Sequence, residues 1–241
     1  MIIFQPLKNK TLNMRIKNRR KIVGREINLL EKYPKAKRNI LERGNTKTEE
    51  DRKLARKFGK EFFDGDRKNG YGGFSYNPRF WQPVIPDFKK YYNLEAHSSV
   101  LDVGAAKGFM LYDFTRLIPG ITVQGVDISS YAIENSIESV KPFLKAANAI
   151  KLPFDDNSFD LVISINTIHN LEKNDLILAL KEIQRVSKKH SFITVDAYRN
   201  DDEKELMYAW NLTAKTIMHV DEWKKLFKEA GYKGDYYWFI P

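Results

Sequence analysis

The chain has 241 residues, 42% hydrophobic and 30% charged, with no cysteine and a formal net charge of +10. That profile belongs to a soluble globular protein with a sizeable core, and the absence of cysteine excludes disulfides, thiolate zinc sites and a cysteine nucleophile. No apolar run approaches the roughly 18 residues of a membrane span. The opening MIIFQPLKNK puts its basic residues after a short apolar patch, the reverse of a secretory signal, so a cytoplasmic protein is expected.

The charge is uneven. Residues 1–60 hold 19 Lys+Arg against 6 Asp+Glu, a balance of +13, and the remainder stands at −3. A basic arm of this kind attracts nucleic acid, anionic membrane or phosphorylated substrates; a solvated helical face is the plain alternative.

In chain order, residues 15–43 read as one or two helices interrupted at Pro34. GNTKTEEDRKLARKFGKEFF reads as a further helix, with Thr48 as N-cap and Glu49, Glu50 and Asp51 near the positive dipole end. Residues 62–83 hold too much glycine, asparagine and proline for a helix, yet carry Phe62, Phe63, Tyr71, Phe74, Tyr76, Phe80 and Trp81. Those rings either pack as a lid or line a pocket. VIPDFKKYYNL reads as a short helix, so residues 1–92 are expected to form a basic helical extension with an aromatic-rich lid or substrate segment.

From residue 99 strands and helices alternate. SVLDVG, ITVQGVD, LKAANA, FDLVISIN and SFITVDAY read as strands; GFMLYDFTRLI, SSYAIENSIESVKPF (capped by Ser129 or Ser130) and NDLILALKEIQRVSKK read as helices. This alternation specifies βαβ units and a mostly parallel sheet of six or seven strands, covered on both faces. A helical insert around 201–214, a possible strand KTIMHV, a helix capped by Asp221 and ended by Gly231, and a final strand DYYWFI complete residues 93–241.

One stretch needs explaining. VLDVGAAKGFML, residues 100–111, puts a carboxylate at Asp102 inside a buried strand and follows it with a turn of glycines and alanines. At the carboxyl end of the first strand the chain must turn into a helix, and ligands bind in that crevice. Gly104 permits the turn, and Ala106 and Gly108 let a ligand approach the backbone. A dinucleotide fingerprint fails because its third glycine would fall on Phe109, and no phosphate-binding G-x-x-x-x-G-K-[ST] is present. A second carboxylate, Asp127, closes the next strand, where it can accept from two ribose hydroxyls or cap the following helix.

Asp102-x-Gly104-x-Ala106-x-Gly108 resembles the first motif of the class I S-adenosylmethionine (SAM)-dependent methyltransferases, with alanine at the middle glycine. AANAIKLPFDDNSFDLVIS, residues 146–164, is similar to the family's adenine-side run, with Asn148 in place of the usual Asp. The resemblance covers roughly residues 98–200 and the weaker LFKEAGY. It implies a Rossmann-like α/β three-layer sandwich that binds SAM and releases S-adenosylhomocysteine. Asp102 would support the methionine end, with Gly104, Ala105, Ala106 and Gly108 forming the loop. Asp127 and Ile128 would flank the ribose, Asn148 and Ala149 the adenine, and Asn166 would border the cofactor.

Methyl transfer needs an aligned nucleophile and, for a hydroxyl or protonated amine, removal of a proton. In this fold the acceptor site lies beyond the fourth strand, at SINTIHNL, where His169 can titrate near neutral pH as a base or can orient substrate. Tyr198 is the second catalytic candidate, and Asp196 is either buried structure or a second base. Tyr71, Tyr76, Arg79, Trp81, Asn170 and Arg199 are candidate substrate contacts, Arg79 suiting a phosphate or carboxylate. No metal site is expected. NTIH does not match the nucleic-acid amino-methyltransferase motif, and methylation of cytosine C5 needs a cysteine. The expected acceptor is a small polar metabolite, anionic, phosphorylated or sugar-type. The pairing of YGGFSY…RFW with NTIHNL is similar to a subgroup associated with bacterial small-molecule and surface-polysaccharide pathways. RNA methylation through the basic arm and a non-catalytic SAM-fold scaffold are the alternatives.

Overall fold

The computed structural model describes residues 24–35, 40–71 and 75–241. In chain order the helices are α1 (Ile40–Asn45), α2 (Glu49–Ala55), α3 (Lys60–Phe63), α4 (Pro78–Trp81), α5 (Ile85–Tyr92), α6 (Phe109–Leu117), α7 (Ser130–Glu134), α8 (Lys173–Val186), α9 (Asp201–Trp210) and α10 (Val220–Ala230). The strands are β1 (Ser99–Val103), β2 (Thr122–Asp127), β3 (Leu144–Ala146), β4 (Phe159–Ile165), β5 (Ser187–Tyr198), β6 (Met218–His219) and β7 (Asp235–Phe239).

The seven strands form one sheet in the order β3-β2-β1-β4-β5, with β7 and then β6 paired along the outer edge of β5. Every strand pairing among the described residues is parallel. A parallel sheet collects the carboxyl ends of its strands at one edge and must be covered on both faces. One face packs Leu101, Val103, Val162 and Val195 against Leu180 and Ile183 of α8 and Trp223 and Phe227 of α10. The other packs Val100, Leu161, Ile163 and Phe192 against Phe88 of α5 and Leu111 and Phe114 of α6. Phe88 meets both Phe192 (ring centroids 5.2 Å apart) and Phe114 (6.3 Å), so α5 shares the sheet's own core.

The N-terminal segment departs from the expected helices. Over 24–35 the backbone serves the sheet edge instead: Ile27 N–H donates to the Tyr236 carbonyl and Tyr236 N–H to that of Arg25, while the Asn28 side chain accepts from Leu30 N–H. Residues 15–23 and 36–39 of the expected helices lie outside the described residues, as does Phe74. The helix expected over 44–63 is two helices broken at Phe58, whose φ is +50°. Thr48 does cap the first, in a reciprocal box with Asp51. The helix expected over 129–143 stops at Glu134, and His219 rather than Asp221 caps α10. No helix among the described residues is long and apolar enough to cross a membrane.

Residues 40–71 act as a strap across the carboxyl edge. At one end α1 crosses α9 so closely that a Cβ on Gly44 would meet the Cβ of Ala209 at 2.7 Å. Lys47 Nζ donates to the last two carbonyls of α9, those of Ala209 and Trp210, and to that of the capping Asn211, where the helix dipole favours a cation. The strap then reaches the tip of β2, where the Ser129 hydroxyl donates to the Phe58 carbonyl. It continues to the loop after β1, where Lys107 Nζ donates to both oxygens of Asp64 at 2.6 and 2.8 Å. It returns to α9, stacking Tyr71 on Trp210. With strand order 2-1-4-5, this path passes over the ends of β1 and β4.

Gly125 tests the packing under that edge. A Cβ there would fall 2.6 Å from Leu144 Cδ2, 2.7 Å from Ala105 Cβ and 2.8 Å from Leu111 Cδ1. Overpacking of this kind costs about 1–3 kcal/mol. Gly125→Ala is therefore expected to lower Tm by several degrees in a thermal melt, and an unchanged Tm would show that the three neighbours yield freely.

Candidate active site

Asp102 lies opposite Gly125 in the β1–β2 register, and Asp127 is two residues further along β2. Side chains alternate across a sheet, so both carboxyls leave it on the α6 face. The loop between them is bound to β2. Gly104 and Ala105 N–H both donate to the Val126 carbonyl, and Ala106 N–H donates to Asp127 Oδ2 at 2.8 Å. Asp127 Oδ1 accepts from Ser129 N–H at 2.8 Å, while the Ser129 side chain caps α7. One carboxylate thus fixes both the loop after β1 and the start of α7.

The loop places Gly104 at φ +93°, Ala106 at +48° and Gly108 at +75°. A Cβ on Gly104 would fall 2.1 Å from Thr167 Oγ1, and one on Gly108 2.9 Å from Val140. Both glycines are therefore required by left-handed backbone and by neighbouring side chains, a reason beyond the ligand approach expected of Gly108. Ala106, at the middle position, holds a left-handed conformation that costs an L-residue about 1–2 kcal/mol.

Electrostatically the crevice is unusual. Asp102 is 6% exposed, and no described residue gives its side chain a hydrogen bond. Burial, and then the charge of Asp127, push its carboxyl up to about 7. Burial also raises Asp127, opposed by the N–H groups of Ser129, Ala106 and Ile128. At Asp64 burial raises the carboxyl, but hydrogen bonds from Lys107 and Tyr131 and the Lys107 charge leave it below the usual range. An acidic pair to which no described residue brings a counter-charge, beside a loop whose backbone is bare of large side chains, fits a ligand that is cationic at one end and carries hydroxyls at the other.

Other expected residues are placed less simply. Ile128 is largely exposed beside Asp127. Asn148 is exposed at the rim, and its side chain accepts from Ile150 N–H within its own turn. Behind that turn, Arg185 grips the Leu152 and Phe154 carbonyls and Glu182, which itself accepts from Leu152 N–H. Ala149 and Ile150 pack half-buried over the α8-side core. Asn166 exchanges hydrogen bonds with Thr194: its N–H donates to Thr194 Oγ1, and its Oδ1 accepts from that hydroxyl at 2.7 Å.

His169 differs from expectation. It is 3% exposed, and burial alone lowers it to about 3, so it does not titrate near neutral pH. Its Nδ1 accepts from Asp196 N–H at 2.9 Å, which leaves the ring proton on Nε2 and makes the outer nitrogen a donor. As placed, His169 can orient a ligand but offers no free lone pair for a base.

Nor does the structure bring the substrate candidates together. Tyr76 donates to Asp113 Oδ1 at 2.7 Å and packs on Phe109 and Tyr112, along α6. Arg79 is exposed over the ring of Phe80, and Trp81 packs on Tyr33, in a separate aromatic group. Arg199 is turned to Glu203 and Glu26. Tyr198 packs on His219 with Lys204 over its ring. Of these side chains Tyr71 is the one that feels Asp196: its hydroxyl accepts from Leu212 and Thr213 N–H, and burial, then the Asp196 charge, raise its phenol to about 12. The Asp64–Lys107 pair was not foreseen, because nothing local in the sequence marks an Asp 43 residues away as the partner of the loop lysine.

The methyltransferase-domain family matches residues 94–231. The malonyl-[acyl-carrier protein] O-methyltransferase of Legionella pneumophila is 29% identical over 127 residues, which cover 51% of this chain and 44% of that protein. The tRNA (carboxymethyluridine(34)-5-O)-methyltransferase of Arabidopsis thaliana is 30% identical over 54% of this chain and 31% of its own length. The chain therefore spans less than half of either relative. The complex of the Haloferax volcanii Trm112 methyltransferase activator with the putative methyltransferase is similar in fold, with a TM-score of 0.52, 18% identity, and coverage of 81% of this chain and 77% of that one. The chain belongs to the class I SAM-dependent methyltransferases, and SAM is its cofactor.

Proposed function

We propose that the crevice at the tips of β1, β2 and β4 holds SAM, and that the methyl group passes to an oxygen or nitrogen of a small polar metabolite, sugar-type molecules of surface-polysaccharide pathways included. The observation that carries this reading is Asp102: a buried carboxyl to which no described residue donates a hydrogen bond, with a second carboxyl whose charge it feels. A cation set between them removes the cost of burying both. Bound there, the cofactor supplies an electrophilic methyl on a positively charged sulfur. Asp102 supports its methionine end. Asp127 uses its remaining lone pairs for the ribose hydroxyls, with Ile128 beside them. Gly104, Ala105, Ala106 and Gly108 give a bare backbone, Ala149 and Ile150 a wall, and Asn148 and Asn166 polar borders. Residues 93–241 carry this chemistry, and the strap within residues 1–92 excludes water above it, which favours an aligned displacement. Arg79 and Arg199, turned elsewhere, give a phosphorylated acceptor no support.

A nucleic-acid acceptor rests on the +13 balance of residues 1–60. Turnover that appears only with RNA and falls steeply with salt would establish it instead. Calorimetric binding of SAM, followed by detection of S-adenosylhomocysteine with candidate acceptors, tests the main reading; a chain that binds no SAM overturns it, and one that binds but never turns over is a scaffold.

Two pH effects follow. Asp102 must be ionised to hold a cation, and without ligand it titrates about 7. SAM affinity should therefore strengthen by up to about tenfold per pH unit below neutrality and level off above it. Asp102→Asn should weaken binding by roughly ten- to a hundredfold and flatten that profile; a wild-type profile that is already flat sinks the assignment. In the ligand-free protein the sign reverses. A carboxyl raised on folding contributes stability that is intact below its unfolded value of about 3.9 and lost as pH rises through its folded value. Asp102→Asn should thus raise the ligand-free Tm more at pH 8 than at pH 5.

A further inference from the structure

A third carboxyl stands at a strand tip on the same face. Asp196 lies four residues after Phe192 on β5, shares that residue's α6-side orientation, and is 3% exposed. No described residue gives its side chain a hydrogen bond, and no described cation approaches it. Asp196 Oδ1 lies 3.3 Å from a second acceptor, His169 Nδ1, whose lone pair is already taken by Asp196 N–H. Beside His169, the amide oxygen of Asn170 is buried without a hydrogen-bond partner. Among the described residues the corner therefore presents unmatched acceptors and no unmatched charge of opposite sign.

We propose, resting on the methyltransferase reading above, that this corner is the acceptor subsite and that it selects an amine arriving as an ammonium ion, an amino sugar being one such molecule. An ammonium brings N–H donors and a positive charge, both of which the Asp196 carboxyl lacks among the described residues. A hydroxyl brings one donor. A phosphate or carboxylate brings none and would face a carboxyl. The groups around Asp196 agree. His169, on the turn after β4, is neutral; Tyr71, from the strap, is a neutral phenol; Trp223, from α10, donates to the Asp196 carbonyl; and Lys215, in the segment after α9, turns its amine to Glu172. Burial holds the empty Asp196 carboxyl up to about 8, so it is protonated at neutral pH. Entry of an ammonium ion ionises it, and the displaced proton leaves to the buffer.

The test is calorimetric, on the full chain saturated with S-adenosylhomocysteine and again without it. Glucosamine is compared with glucose and glucose 6-phosphate, and ethanolamine with ethylene glycol, at pH 7.5 in two buffers of different ionisation heat. The amines should bind at least about tenfold more tightly than their counterparts, with a buffer-dependent heat that reports proton release. Asp196→Asn should lose both the preference and the proton release, while Asp196→Ser and a thermal melt separate that loss from misfolding. Amines that bind no better than their counterparts, or not at all, overturn the proposal, as does an Asn variant that keeps preference and release. Failure of S-adenosylhomocysteine to bind strikes the cofactor reading instead, and the amine titration of the unliganded chain still decides this one.

Discussion

The carboxylate of Asp127 organises the carboxyl edge of this sheet. By accepting the Ala106 and Ser129 N–H groups it joins the loop after β1 to the start of α7, across two neighbouring strands. The loop can then run through three left-handed residues without a larger side chain to brace it. Asp102 is left at the end of β1 with no donor among the described residues. Strained backbone and an unmatched acid side by side are what a ligand site stores ahead of binding.

The strap extends this arrangement over two corners. It is anchored by charge at both: Lys47 on the last carbonyls of α9, and Asp64 on the loop lysine. Between those anchors it places Tyr71 against Trp210 and the segment after α9. Because Lys107 lies within the same short loop as Ala106, the cover and the floor of the crevice share one piece of backbone.

Much of the sheet was legible because its physics is local. The strands of β1, β2, β4 and β5 announce themselves as apolar runs ending in turn residues, and α8 and α10 as stripes of Leu, Ile, Trp and Phe. Asp102 and Asp127 stood out because an acid at the end of an apolar run has little structural excuse. Residues 24–35 are illegible for the opposite reason, while α1 takes up the end of the helical stretch expected over 15–43. Their helical pattern was charge, not apolar periodicity, and tertiary partners decided the shape of the N-terminal segment: the Tyr236 backbone drew residues 25–27 into an edge, and Phe58 turned left-handed above Ser129. His169 shows the limit for side chains. Its type suggested a titrating base, but protonation depends on burial and on which atom meets its lone pair, and that donor is 27 residues away.

The positive balance of the first sixty residues has a further meaning in this fold. Where the chain is described, many of those cations are already answered: Lys32 by Asp87, Arg56 by Glu49, Lys47 by the end of α9. Residues 1–23 hold seven Lys and Arg and no acid. More than half of the +13 balance of residues 1–60 is therefore contributed by their first twenty-three residues.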